Sequence, residues 1–334
     1  MFIEHEALRG HWYMVAEVAD LERGPLGVRL LGADYVVWRG PDGALVAAPD
    51  RCPHREAPLS AGKVDNGCVV CPYHGWTFGA GGTCVEVPSS GAGRPVPPKA
   101  HLPTIHAREQ YGLVWLCPGE PTGTIFACRY EDDPTFRRIN TGVEVWKTNA
   151  LRMVDNFMDI SHFPWVHTGT FGTAQQIEVP HIDLRPLDDG FYGYSYEVEA
   201  GNTVPEGNIA SGTVGAETVH RSMSTGFHLP LTVRSTIRYD NGLEHIILML
   251  ATPIDDETSY FTFVIWRNDD FSVPAEEVIA FDRAIGAEDK RMLELVPGVL
   301  PLDQTRTVSV QSDKASVEWR RQLAALLGVT QGAS

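Results

Sequence analysis

Four side chains in two short stretches carry the first candidate chemistry. Arg51-Cys52-Pro53-His54 offers a thiolate and an imidazole, and Cys71-Pro72-Tyr73-His74-Gly75-Trp76 offers the same pair again. Two loops supplying one of each would satisfy a tetrahedral zinc ion. Zinc sites, however, typically draw two ligands of one kind from each segment. A mixed pair on each loop lets one iron of a [2Fe–2S] cluster take both thiolates, Cys52 and Cys71, and the other both imidazoles, His54 and His74. Imidazole ligation sets the potential of such a cluster at roughly −150 to +300 mV. Cys68 and Cys71 also form a C-x-x-C pair, but only Cys71 fits the four-ligand spacing. Cys68, Cys84, Cys117 and Cys128 read as structural thiols.

A second constellation runs from Asp155 to His167 and contains Asp155, Asn156, Asp159, His162 and His167. On a helix advancing ~100° per residue, Asp155, Asp159 and His162 share one face. Pro164 disfavours regular continuation, so the chain is expected to turn there and bring His167 back. Two histidines and one carboxylate make the facial triad of non-haem Fe(II) sites, which leaves positions open for O2. Taken alone, the stretch is equally readable as a solvated acidic helix with incidental histidines.

The elements that must position these groups change character along the chain. Residues 1 to about 118 read as short strands, at 12–18, 34–38, 44–48 and 111–116, separated by Gly and Pro turns. The stretch from Pro88 to Pro98 reads as a surface loop, and 120–137 as a connection. Beyond it the pattern predicts a helix over 151–160, strands over 191–199, 216–225, 231–239, 243–253 and 258–267, and closing helices over 275–296 and 313–327. The expectation is an α+β protein with domains at 1–118 and 119–334. Among 334 residues, 32 Gly and 23 Pro favour this loop-rich, strand-rich design, and a net charge of −16 argues against nucleic-acid binding. The longest strongly apolar run, Ile246–Ala251, is far short of the ~20 residues of a membrane helix. The N-terminal residues lack the pattern of a signal peptide, so the expected compartment is the cytoplasm and the cysteines are expected as ligands or free thiols.

The Cys-Pro-His and Cys-Pro-Tyr-His-Gly-Trp motifs, followed by Asp159-x-x-His162-x-x-x-x-His167, resemble the oxygenase components of Rieske non-haem iron oxygenases. The resemblance spans essentially the whole chain. Its length and the segments 161–170 and 312–319 are most similar to vanillate and dicamba O-demethylases and methylxanthine N-demethylases. Membrane-bound Rieske subunits share the first motif but carry an extra Cys in each ligand loop, which is missing here.

The resemblance implies a β-rich Rieske [2Fe–2S] domain followed by a helix-grip catalytic domain, in which an antiparallel sheet is flanked by helices. It implies that His162 and His167 bind a mononuclear Fe(II), that Asp159 bridges to a neighbouring subunit's cluster, and that Asn156 faces the iron from one turn away. A late carboxylate completes the triad. Asp282 and Asp289 both lie on one stripe with Ile285, Met292, Leu293 and Val296; the context Ala287–Glu294 matches the family's ligand segment at Asp289, while Asp282 reads as a solvent-facing helix acid. The implied activity is monooxygenation of a small aromatic or heterocyclic substrate with O2, ending in O- or N-demethylation where the oxidised carbon is a methyl. No ferredoxin, dinucleotide or flavin motif occurs, so a separate NAD(P)H-dependent reductase or ferredoxin is expected, and a homotrimer as the assembly. A ring-dihydroxylating dioxygenase and a Rieske electron carrier are the alternatives. Phe227, His228, Met249, Phe263 and Trp266 are candidates for lining a pocket.

Overall fold

The structure, a computed structural model, describes residues 1–91, 94–172, 177–201, 209, 211–213, 215–269, 271–303 and 306–329. Residues 92 and 93 of the expected 88–98 loop therefore lie outside the described residues. The chain divides into two compact units, Met1–Ile125 with Thr252–Asp255, and Phe126–Ala251 with Asp256–Ser334. No described helix is long and apolar enough to cross a membrane.

Ten short strands lie among the described residues of the first unit. β1 (Tyr13–Glu17), β10 (Leu113–Cys117) and β9 (His106–Gln110) form one antiparallel sheet. β2 (Leu26–Leu30), β3 (Ala33–Arg39) and β4 (Leu45–Pro49) form a second. β5 (Lys63–Asp65), β6 (Cys68–Val70), β7 (Thr77–Phe78) and β8 (Cys84–Glu86) form a third. Three hairpins turn on two residues that both have positive φ, namely Leu31-Gly32, Asn66-Gly67 and Tyr111-Gly112. This backbone matches the right-handed twist of the flanking strands. Tyr111 and Gly112 thus form a turn and do not open the closing strand, as their apolar neighbours suggested. Asn66-Gly67 fixes the register of β6, whose next residue is Cys71.

The second unit is built on an eight-stranded antiparallel sheet. Its order is β11 (Arg137–Asn140), β18 (Ser259–Arg267), β17 (Glu244–Pro253), β16 (Thr232–Tyr239), β15 (Thr218–His228), β14 (Tyr192–Gly201) and β13 (Arg185–Pro186), with β12 (Glu144–Trp146) also on β18. Helices accompany it, among them α1 (Ala150–Phe157), α2 (Phe163–Val166), α3 (Ala275–Leu293) and α4 (Lys314–Leu326). Asn149 caps α1 by accepting from the Leu151 N–H at 3.1 Å. Arg320 of α4 grips both oxygens of Asp155 on α1 at 2.6 Å. The Arg283 side chain of α3 donates to the Thr141 carbonyl at 2.6 Å.

The expected helix over 151–160 is shorter, because α1 ends at Phe157. Asp159 therefore does not share a helical face with His162. Its carboxylate accepts from the Ser161 and His162 backbone N–H groups at 2.8 and 3.1 Å and from the Ser161 hydroxyl at 2.6 Å. Such local bonding offers the backbone an alternative to the helix. Nor does Pro164 make the break. It sits in the first turn of α2, where its missing N–H costs nothing.

Candidate metal centres

The two ligand loops of the first unit repeat one backbone device. Cys52 N–H donates to the Ala57 carbonyl at 2.9 Å and the Glu56 N–H returns to the Cys52 carbonyl at 2.8 Å. In the second loop Cys71 N–H donates to Trp76 at 2.8 Å and Gly75 returns to Cys71 at 3.0 Å. The fifth residue of each loop is left-handed, Glu56 at φ 63° and Gly75 at φ 71°. Cys52 and Cys71 are rooted among Trp38, Val69 and Phe78 in the apolar core, while His54 and His74 are exposed. The imidazole rings stand 4.5 Å apart, and His54 stacks on Trp76 at 4.5 Å.

The donor set fits a [2Fe–2S] cluster. Burial, aided by the adjacent Cys71 sulfur, pushes the Cys52 thiol up to about 11. Two neighbouring thiolates need a metal charge to exist there, since coordination deprotonates a thiol outright. The Trp76 Nε1–H is buried beside them without an acceptor among the described residues. The other four cysteines are free thiols too; Cys84, Cys117 and Cys128 are buried and Cys68 is partly so.

In the second unit His162, the residue before α2, and His167, the residue after it, meet Asp289 of α3. The two Nε2 atoms are 3.2 Å apart, and Asp289 Oδ1 lies 3.4 Å from each. Behind them, His162 Nδ1 bonds Asp159 Oδ2 and His167 Nδ1 bonds Glu288 Oε2, both at 3.0 Å. A carboxylate behind each ring fixes Nδ1 as the protonated nitrogen, so both Nε2 atoms aim lone pairs at one point. Asn156 Nδ2 donates to the same Asp289 oxygen at 3.0 Å. Three electron-pair donors about 3 Å apart suit a cation with bonds of roughly 2.0–2.2 Å, and two imidazoles with one carboxylate are the ligand set of a non-haem iron.

The electrostatics agree that one positive charge belongs there. Burial opposes a charged His162, yet Asp159 and Asp289 overcome it and hold its pKa up at about 9. His167 moves the other way, pushed down chiefly by burial against the pull of Asp289.

The structure thus gathers His162, His167, Asp289, Asn156 and Asp159 in one place. Asp155 faces Arg320 instead. Asp282 is not solvent-facing; it is 6 % exposed, and burial pushes its carboxyl up to about 7. Met292 leaves the expected stripe and is half exposed. Glu288, missed in the sequence, also accepts from Gly169 N–H at 2.9 Å and Thr170 Oγ1 at 2.7 Å. Its only sequence signal was adjacency to Asp289.

A cavity opens from the triad between the sheet and α3. Alternate residues of four strands line it, including Arg221 and Met223 on β15, Ile237 and Tyr239 on β16, His245 and Ile247 on β17, and Phe263 and Arg267 on β18. Period-two alternation places each set on one face. From α3 come Val278, Phe281, Asp282, Ile285 and Asp289, one helical stripe. Met249 and Phe263 line the cavity as expected; Phe227 and Trp266 are core, and His228 is exposed.

Residues 146–328 match the family model of the vanillate O-demethylase oxygenase C-terminal domain, and residues 11–105 match that of the Rieske [2Fe–2S] domain. The chain belongs to the Rieske oxygenases. Methylxanthine N1-demethylase NdmA of Pseudomonas putida is 31 % identical over 97 % of this chain and 90 % of its own. The dicamba O-demethylase oxygenase component of Stenotrophomonas maltophilia is 38 % identical over 48 % of each. The structure of NdmA with caffeine superposes with a TM-score of 0.84 at 28 % identity, over 98 % of this chain and 93 % of that one. Dicamba monooxygenase bound to dicamba shares the fold, with a TM-score of 0.80 at 24 % identity over 96 % of this chain and 98 % of that one. This Rieske oxygenase is the oxygenase component of a monooxygenase system, with a [2Fe–2S] cluster and a mononuclear iron as cofactors. Its α+β architecture is that of the NdmA structures.

Proposed function

We propose that this Rieske oxygenase removes an O- or N-methyl group from a small aromatic or heterocyclic substrate. The observation that carries the reading is the triad of His162, His167 and Asp289 opening directly onto a mainly apolar cavity. Cys52, Cys71, His54 and His74 would hold a cluster supplying one-electron transfer from an NAD(P)H-dependent reductase, and the triad would hold an iron supplying O2 activation. In balance, the methyl compound, O2, two electrons and two protons give a hydroxymethyl compound and water; the hydroxymethyl group then leaves as formaldehyde.

The chain's own groups prepare this chemistry. His162 and His167 are held by Asp159 and Glu288 with their Nε2 atoms converging, and Asn156 steadies the Asp289 oxygen. The apolar walls seat a flat body and exclude water. The exposed rings of His54 and His74 suit electron entry from another molecule. Asp159, with 21 % of its side chain exposed, would accept from His162 within its own chain and from His74 of an adjacent copy in a three-fold ring.

Anaerobic iron and sulfide analysis should give about three irons per chain, two of them in the cluster. Aerobic assays on methoxy- and N-methylarenes should couple NADH loss to formaldehyde. Stoichiometric zinc without sulfide, or ring diols without formaldehyde, would refute the reading. Asp159→Asn should keep a reducible cluster that no longer reoxidises with substrate and O2 in a single turnover. Wild-type reoxidation in that variant would remove the bridge.

A further inference from the structure

Arg221 poses a question that the demethylation reading leaves open. It sits in the middle of the sheet on β15, paired with Val198 on one side and Tyr239 on the other. Only 4 % of it is exposed, and it lines the cavity that opens from the triad. Its Nε and Nη2 are buried without an acceptor, and no ion pair reaches it among the described residues. Ring faces are its neighbours, Tyr239 at 5.3 Å and Phe171 at 5.8 Å from the guanidinium carbon. His245, two strands away on the same face, also buries its Nε2 without a partner. Burial, with Arg267 and Arg221 nearby, keeps that imidazole neutral.

A buried guanidinium without a counter-charge is costly unless something completes it. The cavity's other groups do not. Arg267 is already engaged by Asp269 Oδ2 at 2.5 Å and the Ile209 carbonyl at 2.6 Å. Asp282 makes no ion pair with Arg221, and its raised pKa leaves it only partly charged at neutral pH. Asp289 belongs to the triad. The walls between are apolar, formed by Met223, Ile237, Ile247, Met249, Phe263 and Phe281. Phe171 spans the distance, since its ring stacks 4.7 Å from the His167 ring and also contacts Arg221. The reacting end and the cationic end of the cavity are thus one aromatic ring apart.

We propose that Arg221, with His245 two strands away on the same cavity wall, anchors the carboxylate of an aryl carboxylate substrate whose methyl-bearing end faces His162, His167 and Asp289. The fork of a guanidinium matches a carboxylate with two parallel hydrogen bonds, which a neutral carbonyl cannot reproduce. This inference rests on the demethylation reading and names its substrate class.

The test is anaerobic calorimetry of cluster-intact, iron-loaded protein with 4-methoxybenzoate and its neutral isostere 4-methoxybenzamide. The carboxylate should bind at least ~30-fold more tightly, the low end for truncating one partner of a buried charged pair. Arg221→Met should collapse that ratio toward one, and Arg221→Lys should retain part of it. Iron and sulfide content, measured in parallel, identifies a variant that has lost its fold. A wild-type ratio near one overturns the proposal without any variant, as does an Arg221→Met protein that keeps the full ratio. If the carboxylate preference is found but no methylated arene yields formaldehyde, the anchor stands and the demethylation reading falls. If neutral methylated heterocycles yield formaldehyde and 4-methoxybenzoate does not bind, the reading stands and the anchor falls.

Discussion

The two metal centres of this chain solve opposite problems. The proposed cluster site draws its four side chains from two similar loops, keeps its sulfurs in the core and leaves its imidazoles exposed. The proposed iron site draws on chain segments more than 120 residues apart, buries or half-buries its three side chains, and backs each imidazole with a carboxylate. Electron entry needs a conductive edge at the surface, whereas oxygen chemistry needs a site closed to water with positions fixed in advance. The difference lies in how each site is held. Local backbone hydrogen bonds shape the first, and packing of α3 against the sheet and α2 assembles the second.

The sharpest way to break this contrast is to remove one ligand from each site. Asp289→Ala should lose mononuclear iron and reduce turnover by more than the ~100-fold upper range of outer-shell changes, with the cluster's spectrum kept. Asp282→Ala should retain iron. Cys71→Ser should lose the cluster's absorption and all coupled turnover while iron still binds. Iron lost from the Asp282 variant in place of the Asp289 variant would mean the wrong turn of α3 had been assigned.

A smaller effect sharpens the comparison at the carboxylates behind the rings. Glu288→Gln should weaken iron binding by ~10–100-fold in a chelator competition, because it frees His167 to rotate and take the other tautomer. An unchanged iron affinity would reduce Glu288 to a loop anchor for Gly169 and Thr170. Further from the metal, Arg320→Met leaves Asp155 uncompensated between α1 and α4. Thermal unfolding should show a loss of about 3 kcal/mol, the lower end for a broken buried pair.

The last effect is a pH dependence, which needs no change at either metal site. Asp282 has its folded pKa raised to about 7 by burial, above its value in the unfolded chain. Between about pH 4 and pH 7 the folded state therefore binds more protons than the unfolded state, so stability falls as pH rises through that window. Asp282→Asn, neutral throughout, should flatten this slope and be the more stable protein at pH 8. Parallel melting curves for the two proteins across pH 5–8 would count against it.

Legibility in the sequence followed the same division. The proposed cluster ligands stand out in the sequence because their spacing is local and their side-chain types are rare. The strand runs 231–239 and 258–267 were found nearly to the residue, since period and β-branched content agree there. At the triad, the structure gathers the three residues that the sequence singled out, but not with the helical geometry expected of their neighbours. Helical periodicity pointed to one face for Asp155, Asp159 and His162, whereas Asp159 bonded its own loop and stopped α1 early. Glu288 left only its adjacency to Asp289, and Arg221 left no pattern, because an outer carboxylate and an unpaired cation are defined by what folding brings opposite them. Asn66-Gly67 did carry a hairpin signal that apolar runs overshadowed.

The alternation along β15 to β18 has a consequence for how such an enzyme can diversify. A sheet is held by backbone bonds that do not depend on side-chain identity, and neighbouring positions along a strand face opposite sides. Substituting Met223, Ile237, Ile247 or Phe263 reshapes the chamber without altering the ladder, and residues on the far face keep their own packing. Each position is thus an independently adjustable contact on a fixed frame. A lineage can exchange one small methylated compound for another by single steps, with both metal centres left in place.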